Sequence, residues 1–249
     1  MTAFKDHFSG HARAYTLYRP TYPDRMFAHL ASLCARRGHA WDCGTGGGQA
    51  AIRLAAYFER VTATDAAAAQ IEQAVAREGV TYAVAPAEAS GLPDASVDLI
   101  NVAQAAHWFQ HDAFYDEVRR VAAPGCILAL SCYGLFQVSD AVDAVVSSFY
   151  AEMGPWWPPE RDHIDTGYAG LPFPFPAIEM PSFHLEATWD LDHLIGYLGT
   201  WSAVQRYMKD RGEDPLPYLA EALARVWGGK PTEAQTVRWP IHFKAARLG

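Results

Sequence analysis

A glycine-rich stretch has the composition of a nucleotide-binding turn. Its four glycines, at positions 44–48, separate a predicted short strand, 39–43, from a segment with helical spacing of apolar residues, 49–58. Glycine permits positive φ and close approach of a ligand to the backbone, so a strand, a glycine turn and a helix form a nucleotide-binding geometry. The next predicted strand ends at Asp65, 21 residues after Gly44. Because a carboxylate about 20 residues past the first glycine can accept hydrogen bonds from a ribose, the sequence predicts a nucleoside site.

The spacing of the glycines leaves two cofactors open. The dinucleotide pattern G-x-G-x-x-G/A fails from Gly44, whose third position is Gln49, but it fits from Gly46 through Gly48 to Ala51. The pattern alone therefore does not exclude NAD. An acid at the end of the preceding strand, Asp42, favours a different ligand. A carboxylate would repel a pyrophosphate, whereas it would attract an ammonium group.

The string Asp42-x-Gly44-x-Gly46-x-Gly48 resembles motif I of the class I S-adenosylmethionine-dependent methyltransferases. Segments 87–100 and 118–126 are similar to later motifs of that family. The opening Tyr15-x-x-Tyr18-Arg19-Pro20-x-Tyr22-Pro23 and the string Ala106-His107-Trp108-Phe109 resemble its type 11 subgroup, which includes trans-aconitate-methyltransferase-like proteins. The resemblance covers residues 4–133. It implies a Rossmann-like fold, S-adenosylmethionine as the cofactor and S-adenosylhomocysteine as the product.

The resemblance also implies which residues hold the cofactor. In the family, the strand-end acid and the turn surround the amino-acid moiety of the cofactor, and no pyrophosphate is present. The cofactor-binding candidates are Tyr18, Arg19, Asp42, Gly44, Thr45, Gly46, Gly48, Asp65, Ala66, Ala87, Glu88 and Gln104. Pro86 departs from the family, because many members have there an Asp that can bind the adenine amino group. Adenine recognition would then depend on the backbone of Ala87 and on Glu88.

The acceptor side is predicted from the end of the fourth strand and from a later aromatic segment. Methyl transfer from a sulfonium is an in-line displacement with a good leaving group, so the protein mainly supplies proximity and alignment. His107 is the candidate catalytic base for an acceptor that must lose a proton, whereas a carboxylate acceptor would need no base. The substrate-binding candidates are His107, Trp108, Trp156, Trp157, Trp201 and Arg206. Ordinary packing is the alternative role for each of them.

Alternating strand and helix patterns predict an α/β fold with a doubly wound, mostly parallel sheet. Residues 97–103 form a near-continuous apolar run, as expected of a parallel strand covered on both faces. The family topology implies seven strands, the last two of which, 183–189 and 237–245, form an antiparallel edge hairpin. Among the helices, the spacing predicts one over 67–78 and one over 191–208.

A proline-rich segment interrupts this pattern after residue 153. Its prolines are expected to exclude regular helix and central strand, and its aromatic residues favour a lid over an active site. We therefore expect a single methyltransferase domain over residues 1–249. Its expected parts are an N-terminal arm with the first helix (1–38), a cofactor-binding core (39–133), a lid-like insertion (154–182), and C-terminal helices with edge strands (183–249).

The composition argues against several classes of function. The chain has 249 residues and a net charge of −8 without a basic run, so a nucleic-acid substrate is not expected. It contains no apolar run of 18 residues and no signal-peptide pattern, so no membrane span is expected. The four cysteines form no C-x-x-C pair, which suits a cytoplasmic protein with free thiols. The histidines lack metal-ligand spacing, so we expect no metal site.

Three functions remain open from the sequence. The first is a methyltransferase that uses S-adenosylmethionine on a small-molecule acceptor, for which a carboxylate is one candidate. The second is an NAD-dependent oxidoreductase, and the third is a non-catalytic module that binds S-adenosylmethionine. The sequence leaves open whether the protein is a monomer or a homodimer.

Overall fold

The computed structural model describes residues 20–249. Two predicted cofactor contacts, Tyr18 and Arg19, lie outside the described residues. Within residues 20–249, no helix combines the length and the apolar character that crossing a membrane requires.

The described chain alternates strands with helices. The strands are β1 (His39–Cys43), β2 (Arg60–Asp65), β3 (Val80–Val84), β4 (Val97–Ala103), β5 (Ala122–Tyr133), β6 (Phe183–Trp189) and β7 (Gln235–Arg247). The α-helices are α1 (Asp24–Leu33), α2 (Gln49–Leu54), α3 (Ala68–Glu72), α4 (His111–Val121), α5 (Asp140–Glu152), α6 (Arg161–Asp165), α7 (Leu191–Gly199), α8 (Ser202–Arg211) and α9 (Leu216–Val226). Short 3₁₀ turns span Ala106–Trp108 and Gly154–Trp156.

The strands form one seven-stranded sheet in the order β3-β2-β1-β4-β5-β7-β6. The first five are parallel, whereas β7 runs antiparallel to both β5 and β6. The predicted doubly wound sheet with an antiparallel edge pair is therefore confirmed. The strand order reverses between β1 and β4, and open α/β sheets bind ligands at such a switch point.

Helices cover both faces of the sheet. On one face, Met26 and Phe27 of α1 are fully buried in the larger core. On the other face, Phe114 and Val118 of α4 form a second core, which includes Tyr168 of the insertion. The strand β4 is buried along nearly its whole length, as its apolar sequence predicts. The sheet is thus a rigid base for the residues at its carboxyl edge.

The predicted helix over 67–78 is wrong in length, because α3 ends at Glu72. None of the residues of α3 is buried, and a short helix without a packed apolar face has little to stabilise it. The hydroxyl of Tyr82 donates to the carbonyl of Val75 at 3.0 Å and holds the following segment in an irregular turn.

The single helix predicted over 191–208 is two helices, α7 and α8. The break lies at Thr200 and Trp201, where the indole of Trp201 is buried in the larger core. The side chain of Gln205 donates to the carbonyl of Gly199 at 2.6 Å and satisfies one of the last acceptors of α7. Burial of a tryptophan therefore outweighs the continuous helical spacing.

The insertion contains more regular structure than its prolines suggested. The 3₁₀ turn over Gly154–Trp156 and the helix α6 lie within it. Pro158 and Pro159 precede α6, at a helix start where a missing backbone N–H costs little. The expectation that prolines exclude helix from this segment is therefore wrong for residues 161–165.

Candidate functional site

The glycine turn follows β1 at the switch point of the sheet. The backbone amides of Gly44 and Thr45 both donate to the carbonyl of Thr64 in β2, each at 2.9 Å. Gly44 has a φ of +69°, and a Cβ at this position would lie 2.5 Å from the Cβ of Ala105. Only glycine fits there, because the turn packs directly against the segment that follows β4.

At the far side of the turn, the space around Gly48 is filled by a neighbouring side chain, whereas the space around Gly47 is open. Gly48 has a φ of +84°, and an added Cβ would lie 2.3 Å from the hydroxyl oxygen of Tyr82. At Gly47, by contrast, no atom of residues 20–249 lies within 4 Å of such a Cβ. The turn therefore packs on the protein through Gly44 and Gly48 and offers open backbone between them. This is the cradle that a small ligand can approach.

Asp42 is a buried acid beneath this turn, with 1% of its surface exposed. Its Oδ2 accepts a hydrogen bond from the hydroxyl of Thr45 at 2.6 Å, and its Oδ1 accepts one from Nδ2 of Asn101 at 2.7 Å. Burial raises the pKa of Asp42 from 3.8 to about 6. The Oδ1 of Asn101 is also buried and has no hydrogen-bond partner among residues 20–249. A cation bound in the crevice would stabilise the charged form of Asp42.

Asp65 connects the end of β2 to the turn. Its Oδ2 accepts the backbone N–H of Gly46, and its Oδ1 accepts that of Ala67, both at 2.9 Å. A carboxylate can accept about four hydrogen bonds, so Asp65 can combine this structural role with a bond to a ligand hydroxyl. The spacing between Gly44 and Asp65 in the sequence thus corresponds to a contact between the turn and the acid.

The candidates after β2 and β3 form the adjoining wall of the crevice. Ala66 follows Asp65 and is half-buried, and Ala87 is buried. The Oε1 of Glu88 accepts the backbone N–H of Gln110 at 2.7 Å, which ties the segment after β3 to the start of α4. Glu88, which is also the predicted adenine contact, therefore holds two segments of the chain together through this hydrogen bond.

Gln104 occupies an unusual backbone conformation at the end of β4, with a φ of +62°. Its side-chain Nε2 donates to the carbonyl of Tyr133 at 3.0 Å, and its Oε1 accepts the amide of Tyr133 at 2.8 Å. This pair joins the ends of β4 and β5. Because both polar atoms of the side chain bind Tyr133, a contact of Gln104 with the cofactor would involve its backbone.

His107 lies on the 3₁₀ turn after β4 and is 6% exposed. Its Nδ1 is 3.1 Å from the hydroxyl oxygen of Tyr168 in the insertion, and its ring centroid is 4.7 Å from that of Trp108. Burial is the main cause that lowers the pKa of His107 from 6.5 to about 3. Positive charge at three neighbours lowers this pKa further: Arg161, His163 and His111. The imidazole is therefore neutral at physiological pH.

The insertion packs against this part of the site. Its helix α6 contacts the 3₁₀ turn that carries His107. The hydroxyl of Tyr115 in α4 donates to the carbonyl of Pro172, and the rings of Phe173 and Phe175 pack edge-on against the ring of Tyr115. The aromatic segment thus lies beside the turn after β4.

The aromatic acceptor candidates fall into two contact groups. Trp157 and Trp201 lie 5.5 Å apart between ring centroids, and both pack against Tyr150 of α5. Trp156 instead donates its indole N–H to Asp210 at 3.2 Å, and its carbonyl accepts from Arg206 at 3.2 Å. Trp156 and Arg206 therefore join the insertion to α8, whereas Trp157 and Trp201 form an aromatic cluster with α5.

The structure adds two residues that were not predicted from the sequence. Tyr168 bonds to His107, and the guanidinium of Arg161 lies over the ring of Trp157. Both come from the insertion, more than 50 residues after His107. An arginine within an aromatic, proline-rich segment was the available signal for Arg161. No local pattern distinguished Tyr168 from its aromatic neighbours.

Comparisons with known proteins agree with this geometry. Residues 41–130 match the family described as a methyltransferase domain. A protein of Dictyostelium discoideum, provisionally named a methyltransferase, is 34% identical over 247 residues, which cover 97% of this chain and 93% of that protein. A solved structure from Anaeromyxobacter dehalogenans, described provisionally as a type II methyltransferase, is 50% identical with a TM-score of 0.87 and covers 92% of this chain and 98% of that one. YcgJ of Bacillus subtilis has the same fold, with a TM-score of 0.53 at 17% identity over 91% of this chain and 100% of its own.

Proposed function

Since this chain belongs to the class I S-adenosylmethionine-dependent methyltransferases, we propose that it transfers a methyl group from that cofactor to a small-molecule acceptor that carries a carboxylate. The observation that carries the cofactor assignment is the position of two acids around one glycine turn. Asp42 lies beneath the turn, and Asp65 bonds to its backbone. Bound S-adenosylmethionine would supply a methyl group on a sulfonium, which is a good leaving group.

The residues of the turn fit this cofactor better than a dinucleotide. The buried Asp42 would attract the ammonium group of an amino-acid moiety, whereas it would repel a pyrophosphate. Gly44, Thr45, Gly46 and Gly48 would hold that moiety through the open backbone of the turn. Asp65 would accept hydrogen bonds from the ribose hydroxyls. Ala66, Ala87 and Glu88 would line the base, and Gln104 would contact the cofactor through its backbone.

The charges near His107 favour an anionic acceptor. Arg161 lies close enough to His107 to lower its pKa by its positive charge, and His163 and His111 add to this effect when they are protonated. A carboxylate, which is already ionised at neutral pH, would be attracted to the positive charge near His107. Its oxygen could therefore attack the methyl group without a catalytic base, so that alignment of the two substrates would supply the rate enhancement.

His107 would act in this reaction as a hydrogen-bond donor. Burial raises the pKa of Tyr168 well above its usual value, so its hydroxyl keeps its proton, and the backbone amides of His107 and Ala106 oppose this rise only in part. With these amides directed at the oxygen, the hydroxyl proton of Tyr168 is directed to Nδ1 of His107. The ring proton of the neutral imidazole would then be on Nε2. An Nε2–H group can donate to a carboxylate oxygen but has no lone pair with which to remove a proton.

A labelled methyl donor tests the proposed function. The protein is incubated with S-adenosylmethionine bearing a deuterated methyl group and with a series of carboxylic acids, each paired with its amide. The proposal expects release of S-adenosylhomocysteine and a deuterated methyl ester from an acid, with no product from the amides. Methylation of a neutral nucleophile in preference to every acid would contradict the carboxylate acceptor. The variant Asp65→Ala serves as the cofactor-site control.

A further inference from the structure

Arg161 is held in one orientation at the first residue of α6. Its Nε donates to the hydroxyl of Tyr150 at 2.9 Å and to Oδ1 of Asp165 at 3.2 Å. Its Cζ lies 4.7 Å from the ring centroid of Trp157 and 5.5 Å from that of Tyr150. The side chain is only 16% exposed. Such stacking and bonding fix a guanidinium before any ligand arrives, which lowers the entropy cost of binding.

Two donor groups in this cluster have no acceptor within the described part of the chain. The hydrogen bonds and the ion pair of Arg161 all use Nε, so neither Nη atom has a partner among residues 20–249. The Nε1 of Trp157 is buried and likewise lacks a partner among these residues. A buried donor without an acceptor is uncommon in folded proteins and points to a missing group.

The position of Arg161 connects this cluster to the proposed reaction site. Burial lowers the pKa of His107 after β4, and the charge of Arg161 lowers it further. Burial raises the pKa of Cys132 near the end of β5, and the charge of Arg161 opposes this rise. The nearest carboxylate, Asp165, already accepts from Nε of Arg161 and from the hydroxyl of Tyr150. Asp165 thus pairs with Nε of Arg161, and the two Nη atoms of Arg161 can still donate to a second anion.

We propose that Arg161 and Trp157 form the anchor for a carboxylate group of the acceptor. The two Nη atoms would donate to its oxygens in the forked geometry that guanidinium and carboxylate groups share. The indole N–H of Trp157 would donate to one of the same oxygens. This inference rests on the proposed function, because it assigns a specificity-determining site to the acceptor of that reaction.

Thermal melts of protein saturated with S-adenosylhomocysteine test the anchor. The added probes are benzoate, succinate and citrate, each compared with sodium chloride at the same ionic strength and with benzamide. We expect at least one carboxylate to raise the melting temperature further, with no effect of benzamide. Arg161→Met should raise the concentration of this carboxylate that is needed for the same shift about 100-fold, and Trp157→Phe should raise it about tenfold. Each substitution removes hydrogen bonding to a charged group.

Matched variants separate a binding role from a structural one. Arg225→Met removes an arginine whose side chain is 77% exposed, and it should leave every response unchanged. Arg161→Lys keeps the charge but loses the fork, so it should retain part of the carboxylate response. In both Arg161 variants and in Trp157→Phe, the shift produced by S-adenosylhomocysteine alone should equal that of the parent protein.

Three outcomes would overturn the proposed anchor. The first is a carboxylate response in Arg161→Met as large as that of the parent. The others are a response of the parent to inorganic phosphate equal to its carboxylate response, and no carboxylate response in the parent. Loss of the S-adenosylhomocysteine shift in both Arg161 variants would also overturn it, because Arg161 would then support the fold or the cofactor. If S-adenosylhomocysteine does not shift the melt of the parent, the proposed function itself fails, which is a separate result.

Discussion

The carboxylate of Asp65 accepts the backbone N–H of Gly46 at 2.9 Å, which joins the end of β2 to the glycine turn after β1. Its second oxygen accepts the backbone N–H of Ala67 at the same distance. One side chain therefore shapes the turn and presents an acceptor to the proposed ribose position. In our proposal, the cofactor site and the fold depend on the same residue.

Asp65→Ala should affect both stability and cofactor binding. It leaves the amides of Gly46 and Ala67 without their acceptor, so we expect the free energy of unfolding to fall by about 1–3 kcal/mol. Affinity for S-adenosylhomocysteine, measured by calorimetry, should fall about 100-fold because the loss of both ribose hydrogen bonds is added. Asp116→Ala, at a side chain 80% exposed, should change neither quantity. Binding by Asp65→Ala within twofold of the parent would contradict the ribose assignment.

Substitution by alanine should affect stability differently at two neighbouring glycines. Gly48→Ala places a Cβ against the hydroxyl of Tyr82 at a φ of +84°, so we expect it to reduce both stability and cofactor binding. Gly47→Ala meets no atom of the described residues within 4 Å and should leave stability within about 0.5 kcal/mol of the parent. Chemical denaturation measures both changes. Removing the clash in Gly48→Ala/Tyr82→Ala should restore only part of the stability, because the strain of the backbone remains.

Asp42 should make cofactor binding depend on pH near 6. Burial raises its pKa from 3.8 to about 6 in the folded protein, so the carboxylate becomes protonated as the pH falls below 6. The negative charge that attracts the ligand ammonium is then lost. We expect the dissociation constant of S-adenosylhomocysteine to rise as the pH falls from 7 to 5, measured by calorimetry. A flat profile over this range would contradict the role of Asp42.

The same shift predicts the effect of neutralising Asp42. A folded-state pKa above the unfolded value of 3.8 means that Asp42 stabilises the fold only when protonated, and this contribution is lost as the pH rises through 6. Asp42→Asn should therefore raise the melting temperature at pH 7 while it weakens cofactor binding. Lower stability together with unchanged binding would contradict this account.

His107 should stay neutral down to low pH. Its pKa is lowered to about 3, whereas an unfolded histidine titrates at 6.5, so the unfolded chain binds the additional proton below pH 6.5. The free energy of unfolding should therefore fall from pH 6.5 towards pH 3 by an amount that His107→Gln removes. NMR of the labelled imidazole should show a proton on Nε2 at pH 7. A proton on Nδ1, or an ascending limb in kcat/KM near pH 6.5, would support a catalytic base instead.

Local sequence was sufficient to predict the strands and the glycine turn of residues 39–133. The strands, the glycine turn and Asp65 follow from short-range patterns, because a parallel sheet places the strand ends at one edge. The contacts of Gln104 were not predictable, since the partner of its side chain, Tyr133, lies 29 residues later. The same holds for Tyr168, which bonds to a histidine 61 residues earlier. The insertion has no periodic pattern, and its contact with the turn after β4 is visible only in the folded structure.

A pair of thermal melts, one with S-adenosylhomocysteine and one with NADH, tests which cofactor the glycine turn binds. A ligand at 100 times its dissociation constant stabilises a fold by about 2.7 kcal/mol. We expect a shift with S-adenosylhomocysteine that is lost in Asp65→Ala, and no shift with NADH. A shift with NADH alone would contradict this expectation, because the turn from Gly46 to Ala51 would then bind a pyrophosphate despite the buried Asp42.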